Sequence, residues 1–230
     1  MLSFRRAEEG DVPEIVSFTM DTWEWGDYIP HVIGRWVKEG RAYVAVWEGR
    51  IAAVAAMVQV GRAVYLQGLR VRPELRGRGV GEAMTRFLLE EARRRGAAVA
   101  TLLVAEWNAP SHALVKKVGF KERVSIYGGR PAGGAGGRCL SGLEAYESVA
   151  EALGRSRGYA CLPDEPWVCT ALSPWDILSR GTPCLSGGAL YLGRFSFGGA
   201  VGDPGVDVTS LSPDGYKERY ATHVLYAMEL

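Results

Sequence analysis

Residues Arg76-Gly77-Arg78-Gly79-Val80-Gly81 stand where an apolar strand pattern gives way to an amphipathic helix pattern. A chain with such a junction is confined to folds in which a strand turns sharply into a helix. Glycines allow positive φ without a Cβ clash and let the backbone approach a bulky anion. The amides of such a loop and of the first helical turn converge on one spot, where the helix dipole adds positive potential. Arg76 or Arg78 could add bidentate contacts to a phosphate. The loop is not a P-loop, because no Gly-Lys-Ser/Thr follows, and its GxGxG spacing is not the GxGxxG of a dinucleotide fingerprint. On spacing alone, a phosphate cradle and a plain glycine turn both stay open.

The flanking segments alternate strand and helix. Ser3–Ala7 reads as a strand, and Asp11 with Glu14 as a capping box opening a helix through Trp23. Ile29–Lys38 suits a second helix ended by Gly40. Ala42–Trp47 and Ile51–Val60 form a hairpin around Glu48-Gly49-Arg50, and Val64–Val71 is a third strand stopped by Pro73. Val80–Arg95 carries Val80, Met84, Phe87, Leu88 and Ala92 at helical spacing. Val99–Ala105, Ser111–Val118 and Arg123–Tyr127 continue as strand, helix and strand. The expected class is α/β, or α+β, around a mixed sheet.

The ten residues 128–137 hold six glycines and one proline, which predicts a linker or long loop and excludes a central strand. Three segments follow: a first domain over 1–127, the linker 128–137, and an accessory domain over 138–230. Formal charge is +4 over residues 1–127 and −3 over 128–230, a mild asymmetry. In the second part, Leu143–Leu153 and Pro174–Ser179 read as helices. Ala189–Phe197, Val206–Leu211 and Thr222–Leu230 read as strands. The last of these either returns to the first domain's sheet or belongs to an independent domain.

A net charge of +1 argues against a dedicated nucleic-acid binder. The apolar run Ile51–Val58 falls far short of the roughly 20 residues of a membrane span, and the first residues lack a signal-peptide core. A soluble cytoplasmic protein is therefore expected. Arginine outnumbers lysine 22 to 5, with one Asn and two Gln, a profile that fits a thermophile or a GC-rich genome. Cys139, Cys161, Cys169 and Cys184 contain no CxxC pair, so no zinc site is expected and free buried thiols are favoured over disulfides.

Arg76, Gly79 and Gly81 match the Gln/Arg-x-x-Gly-x-Gly/Ala loop of the GNAT acetyltransferase superfamily, and Leu69–Leu75 resembles the strand leading into it. Asn108, Leu114, Gly119 and Phe120 fall in the places of that family's downstream coenzyme segment. The resemblance covers residues 1–127. It implies acetyl-CoA as co-substrate in a splayed gap between the strands Val64–Val71 and Val99–Ala105. The backbone of Leu69, Arg70 and Val71 would meet the pantetheine arm, and Arg76, Gly77, Arg78, Gly79, Val80 and Gly81 the pyrophosphate. Asn108 and Ser111 would face the pantetheine or thioester end. The implied chemistry is direct attack of a neutral amine on the thioester, with no metal, nucleic acid or membrane as partner; a homodimer is common among relatives.

Val115 occupies the position where many relatives carry a tyrosine that protonates the leaving thiolate. Tyr28, Tyr127 or water could replace it. Glu106, just past a strand end, is the candidate base, or else a solvated carboxylate. Gln67 stands where some relatives have Glu and could orient the acceptor or a water. The stretch from Asp21 to Pro30 suits a cationic, partly apolar ligand, with Trp25, Asp27 and Tyr28 as contacts; its aromatics could equally fill core. This region is similar to archaeal members and, more loosely, to the histidine N-acetyltransferase group, which hints at a small amino-acid-like amine. A protein N-terminus or lysine as acceptor, and an acyl-CoA sensor without transferase activity, are the rival readings.

Overall fold

The computed structural model describes residues 1–134 and 136–230. The chain divides into two compact units. One comprises Met1–Val58, Leu66–Gly96 and Leu230; the other comprises Gln59–Tyr65 and Ala97–Glu229. The division therefore passes through a strand near residue 65 rather than through 128–137.

The first unit is built from β1 (Leu2–Arg6), α1 (Val12–Thr19), α2 (Ile29–Lys38), β2 (Ala42–Trp47), most of β3 (Arg50–Val60), the later part of β4 (Ala63–Val71) and α3 (Val80–Arg94). Its strands lie in the order β1-β2-β3-β4. Ile15, Phe18, Ile33, Trp36, Val44 and Val54 form its core. On α3 the expected stripe Val80, Met84, Leu88 and Ala92 is buried. Phe87 stacks on Phe4 at 4.9 Å and meets Tyr43 edge-on at 5.8 Å.

The first helix is shorter than expected. It ends at Thr19, whose hydroxyl donates to Ile15 O (2.8 Å), and turns closed by Thr22 N–H and Gly26 N–H follow. The expected capping box is also absent. Asp11 accepts from Arg5 (2.6 and 2.8 Å) and from Glu8 N–H (2.7 Å), while Glu14 accepts from Ile51 N–H (3.0 Å) and Arg72 (2.6 Å). Glu14 is drawn off by long-range partners, and Asp11 serves the preceding turn at Glu8 and Arg5 instead.

The second unit adds β5 (Val99–Ala105), α4 (Ala109–Val118), β6 (Lys121–Pro131), β7 (Arg138–Cys139), α5 (Gly142–Arg155), β8 (Tyr159–Cys161), β9 (Cys169–Ala171), α6 (Pro174–Leu178), β10 (Cys184–Ser186), β11 (Ala189–Leu192), β12 (Phe195–Ser196), β13 (Val208–Ser210) and β14 (Tyr216–Glu229). From the start of β4 the strand order is β4-β5-β14-β6-β13-β12-β11-β10-β7, with β8 and β9 paired separately. The parallel β4–β5 ladder covers Ala63↔Val99 to Tyr65↔Thr101. Strand β5 continues to Ala105 on β14, through His223↔Ala105. The final strand thus inserts between β5 and β6, and the residues joining β6 to β14 form a long insertion.

Two expectations are overturned here. Gly128 and Gly129 belong to β6 and are buried, pairing with Thr209 and Val208 on one side and Ala221 and Arg219 on the other. Close packing explains the glycines: a Cβ on Gly128 would fall 2.1 Å from the Trp167 ring, and one on Gly129 2.1 Å from Glu218 O. Of the expected linker, residue 135 lies outside the described residues. The cysteines are not free thiols; Cys139 pairs with Cys184 and Cys161 with Cys169. Each pair sits at directly opposed positions of an antiparallel ladder, a juxtaposition that sequence spacing does not reveal.

Candidate active site

The loop leading into α3 has the backbone its glycines predict. Gly77 (φ +73°) and Gly79 (φ +81°) are left-handed, and an added Cβ at either would meet nothing within 4 Å. These positions need glycine for their angles and leave the approach open. No side chain caps α3, so the first-turn amides that every helix leaves without an internal acceptor carry the full positive end of a 15-residue helix dipole. Arg76 and Arg78 are exposed beside them, Arg76 Nε donating to Val71 O (3.2 Å). Arg78, Gly79, Val80 and Ala83 line a depression of about 270 Å³ with Leu2 and Trp47. An anion of phosphate size fits this chemistry.

Also in the first unit, Arg70 draws the expected acceptor residues together. Its Nε and Nη2 donate to the two oxygens of Asp27 (2.5 and 3.0 Å), whose side chain is fully buried. Its guanidinium lies 5.9 Å from the Trp23 ring and 5.5 Å from Tyr28. Burial alone would raise Asp27, but hydrogen bonds from Arg70 and Thr22, the Arg70 charge and the Ile29 N–H prevail and hold it below the usual carboxylate range. The cation that these aromatics and this acid enclose is therefore the chain's own. Asp27, expected to meet the acceptor's ammonium, is instead spent on Arg70. Trp25, 72% exposed, stacks on Trp23 at 6.0 Å. Tyr28 precedes α2 and packs edge-on to Trp36. Gln67 is half-buried in β4, beside Gly68.

Gly68 was not singled out in the sequence, although a glycine inside a strand pattern is a signal for a bulge or a close approach. It has φ +67°, and a Cβ there would lie 2.7 Å from Trp36 and 2.9 Å from Ile29. The aromatic core thus presses directly on the β4 backbone next to Gln67, Leu69 and Arg70.

In the second unit, Glu106 is exposed in the turn after β5, its N–H donating to Thr222 O (3.0 Å). Asn108 is the N-cap of α4, its side chain accepting from Ser111 N–H (3.2 Å). Val115 is buried on the same helix. A polar chain that sequence reasoning missed lies beside it. His112 Nε2–H donates to Ala105 O (3.1 Å), and Nδ1 lies 2.8 Å from the Tyr226 hydroxyl, which donates to Glu122 (2.8 Å). Lys116 pairs with Glu122 at 2.8 Å. His112 and Tyr226 are 114 positions apart, so no local pattern marks the pair.

Residues 12–120 match the model of the acetyltransferase (GNAT) family. The chain carries a GNAT domain. Over 93 residues it is 32% identical to a histidine N-acetyltransferase of Scomber australasicus, a match spanning 39% of this chain and 28% of that one. Over 68 residues it is 32% identical to a thialysine N-epsilon-acetyltransferase of Bos taurus, spanning 30% of this chain and 40% of that one. The matched stretches thus cover well under half of these curated relatives. A candidate acetyltransferase from Thermoplasma acidophilum shares the fold at a TM-score of 0.65 and 20% identity, over 99% of this chain and 100% of its own. A GCN5-related N-acetyltransferase from Kribbella flavida aligns at a TM-score of 0.53 and 14% identity, over 100% and 71%. The GNAT fold expected from the two motifs is therefore present. Among the described residues no group of His, Cys, Asp or Glu is placed to hold a metal ion, and no helix is long and apolar enough to cross a membrane.

Proposed function

We propose that the protein is an N-acetyltransferase that moves an acetyl group from acetyl-CoA to the primary amine of a small, amino-acid-like acceptor. The observation that carries this reading is the uncapped start of α3 behind left-handed Gly77 and Gly79, in a GNAT domain. Residues 76–81 hold the pyrophosphate, the backbone of 69–71 the pantetheine arm, and Asn108 and Ser111 the thioester end. When bound, acetyl-CoA supplies an activated acyl group with a tolerable leaving group, since a free thiol has a pKa of about 8.5.

The chain's own task is then positioning and proton handling. Glu106, solvent-exposed after β5, takes the proton of the acceptor's ammonium. Tyr28 gives one to the departing sulfur in place of the tyrosine that Val115 supplants. The Tyr28 phenol is protonated at neutral pH and so has a proton to give. Trp25 and Gln67 contact the acceptor. Histidine and thialysine, which the named relatives acetylate by their names, are the first acceptors to try. A cytoplasmic setting in a thermophile accommodates both disulfides, because hyperthermophile proteins keep them inside the cell.

Gly79→Asp tests the cradle. It places a Cβ at φ +81° and a negative charge on the anion site. Titration calorimetry is expected to show acetyl-CoA affinity falling at least about a hundredfold, the loss of more than one charge-assisted contact. Unchanged affinity would remove the loop from the binding site.

A further inference from the structure

At the end of β5 where Glu106 stands, the neighbouring strand carries an imidazole without a polar partner. His223 of β14 faces Ala105 on one side and Ile126 on the other. Its Nδ1 is buried and makes no hydrogen bond among the described residues. Trp167 lies against it edge-on, ring centres 5.3 Å apart. An imidazole nitrogen withdrawn from water with no partner is costly, and native structures seldom leave such a group empty-handed. Ala105, Ile126 and the indole offer it nothing.

The indole is held firmly in that place. The segment 162–168 carrying it is closed at its base by Cys161–Cys169. Thr209 donates to Pro166 O (2.8 Å), Val168 N–H to Glu165 O (2.8 Å), and Thr101 donates to Cys169 O (3.0 Å). The edge of its six-membered ring rests on Gly128, where even a methyl group would collide. A fixed aromatic ring beside an unpartnered ring nitrogen supplies one apolar wall and one polar anchor, two of the elements from which small-molecule sites are built.

We infer that His223 and Trp167 line part of the acceptor's binding site, His223 Nδ1 accepting a hydrogen bond from the acceptor's neutral amine while Trp167 covers its apolar stem. This rests on the transferase reading and names a contact for it. Burial keeps the imidazole neutral, pulling it down to about 4. It therefore accepts from an amine across the neutral range and repels no cation. Trp167 adds selection for an amine with an aliphatic or aromatic body over a bare polar one.

The test uses the full chain with 15N-labelled histidine, saturated with CoA and titrated with amino acids (histidine and thialysine included), polyamines and short peptides. Assignment of the His223 resonance comes from its loss in His223→Phe. An amine that binds here moves the Nδ1 signal. In turnover, His223→Phe raises that amine's KM about tenfold, the loss of one hydrogen bond at roughly 1.4 kcal/mol, and leaves the KM for acetyl-CoA unchanged. His223→Asn, whose Oδ1 stands near the lost Nδ1, restores most of it, a rescue that a merely structural role would not give. An Nδ1 signal indifferent to every amine, or an unchanged amine KM in His223→Phe, overturns the inference. A responding Nδ1 without acetylated product leaves this site standing and overturns the transferase reading instead.

Discussion

Arg70 and Asp27 show how a single pairing redirects a functional reading. The Asp21–Pro30 stretch has the composition of a cation site, and it is one, but its occupant is a guanidinium 43 positions away in the chain. Nothing within the stretch names that partner, so only the type of chemistry was legible. Removing one member of a buried pair leaves the other charge unsolvated, which costs about 3 kcal/mol. Asp27→Ala is expected to lower stability by about that much in a urea titration, and an unchanged midpoint would mean Arg70 is not buried as described. A second titratable group makes its own mark. His223 holds its proton less tightly when folded, at about 4, than at its ordinary 6.5. The unfolded chain therefore takes up a proton first, and stability falls as pH drops from about 6.5 toward 4. The loss is on the order of 3 kcal/mol. Asp27, lowered in the same direction on folding, adds its own loss below that window, as pH falls under the usual carboxylate value. A chain carrying His223→Phe should lose the upper part of this slope and keep the lower; a slope that persists unchanged above pH 4 would assign it to other groups.

Among the elements, most of those before residue 127 follow from periodicity and punctuation, the first helix being the exception. The strands Ala42–Trp47 and Val99–Ala105 and the helix Ile29–Lys38 have the expected bounds. Helix α3 works in the same way, because its apolar stripe and its glycine start agree. Where the reading failed, a distant contact overrode a local rule. Glycines at 128 and 129 look like a linker, yet they sit in a central strand because Trp167 and Glu218 need the space. The segment 162–168 that brings Trp167 there is bounded by Cys161 and Cys169, whose pairing spacing did not disclose. Closing so short a loop stabilises by about 2–3 kcal/mol in the chain-entropy account, and the Cys139–Cys184 loop by about 4 kcal/mol. Reduction of both bonds is expected to lower the melting temperature by several degrees or more, with Cys161→Ser alone also loosening Trp167, read as a change in tryptophan emission. A melting temperature indifferent to reductant, with the bonds verified open by mass, would contradict this.

For the whole molecule, the GNAT order was legible from two motifs, while the route from β6 to β14 was not. The last strand's return was one of two open readings, and the β14 ladders with β5 and β6 decide it. An insertion built of short strands and glycine turns carries little periodic signal, since each strand of two to four residues is too brief to show alternation. The insertion also supplies Trp167, so the part least legible in sequence is the part on which acceptor choice is proposed to depend. The central claim is that this chain transfers acetyl groups to small amines. The most direct measurement is mass-detected transfer from acetyl-CoA to a panel of amino acids, polyamines, aminoglycosides and peptides, run hot as well as at about 25 °C, beside the Gly79→Asp chain. The account predicts an acetylated small amine with the unaltered chain and none with Gly79→Asp. Acetyl-CoA bound tightly but no product from any amine, at either temperature, would contradict it.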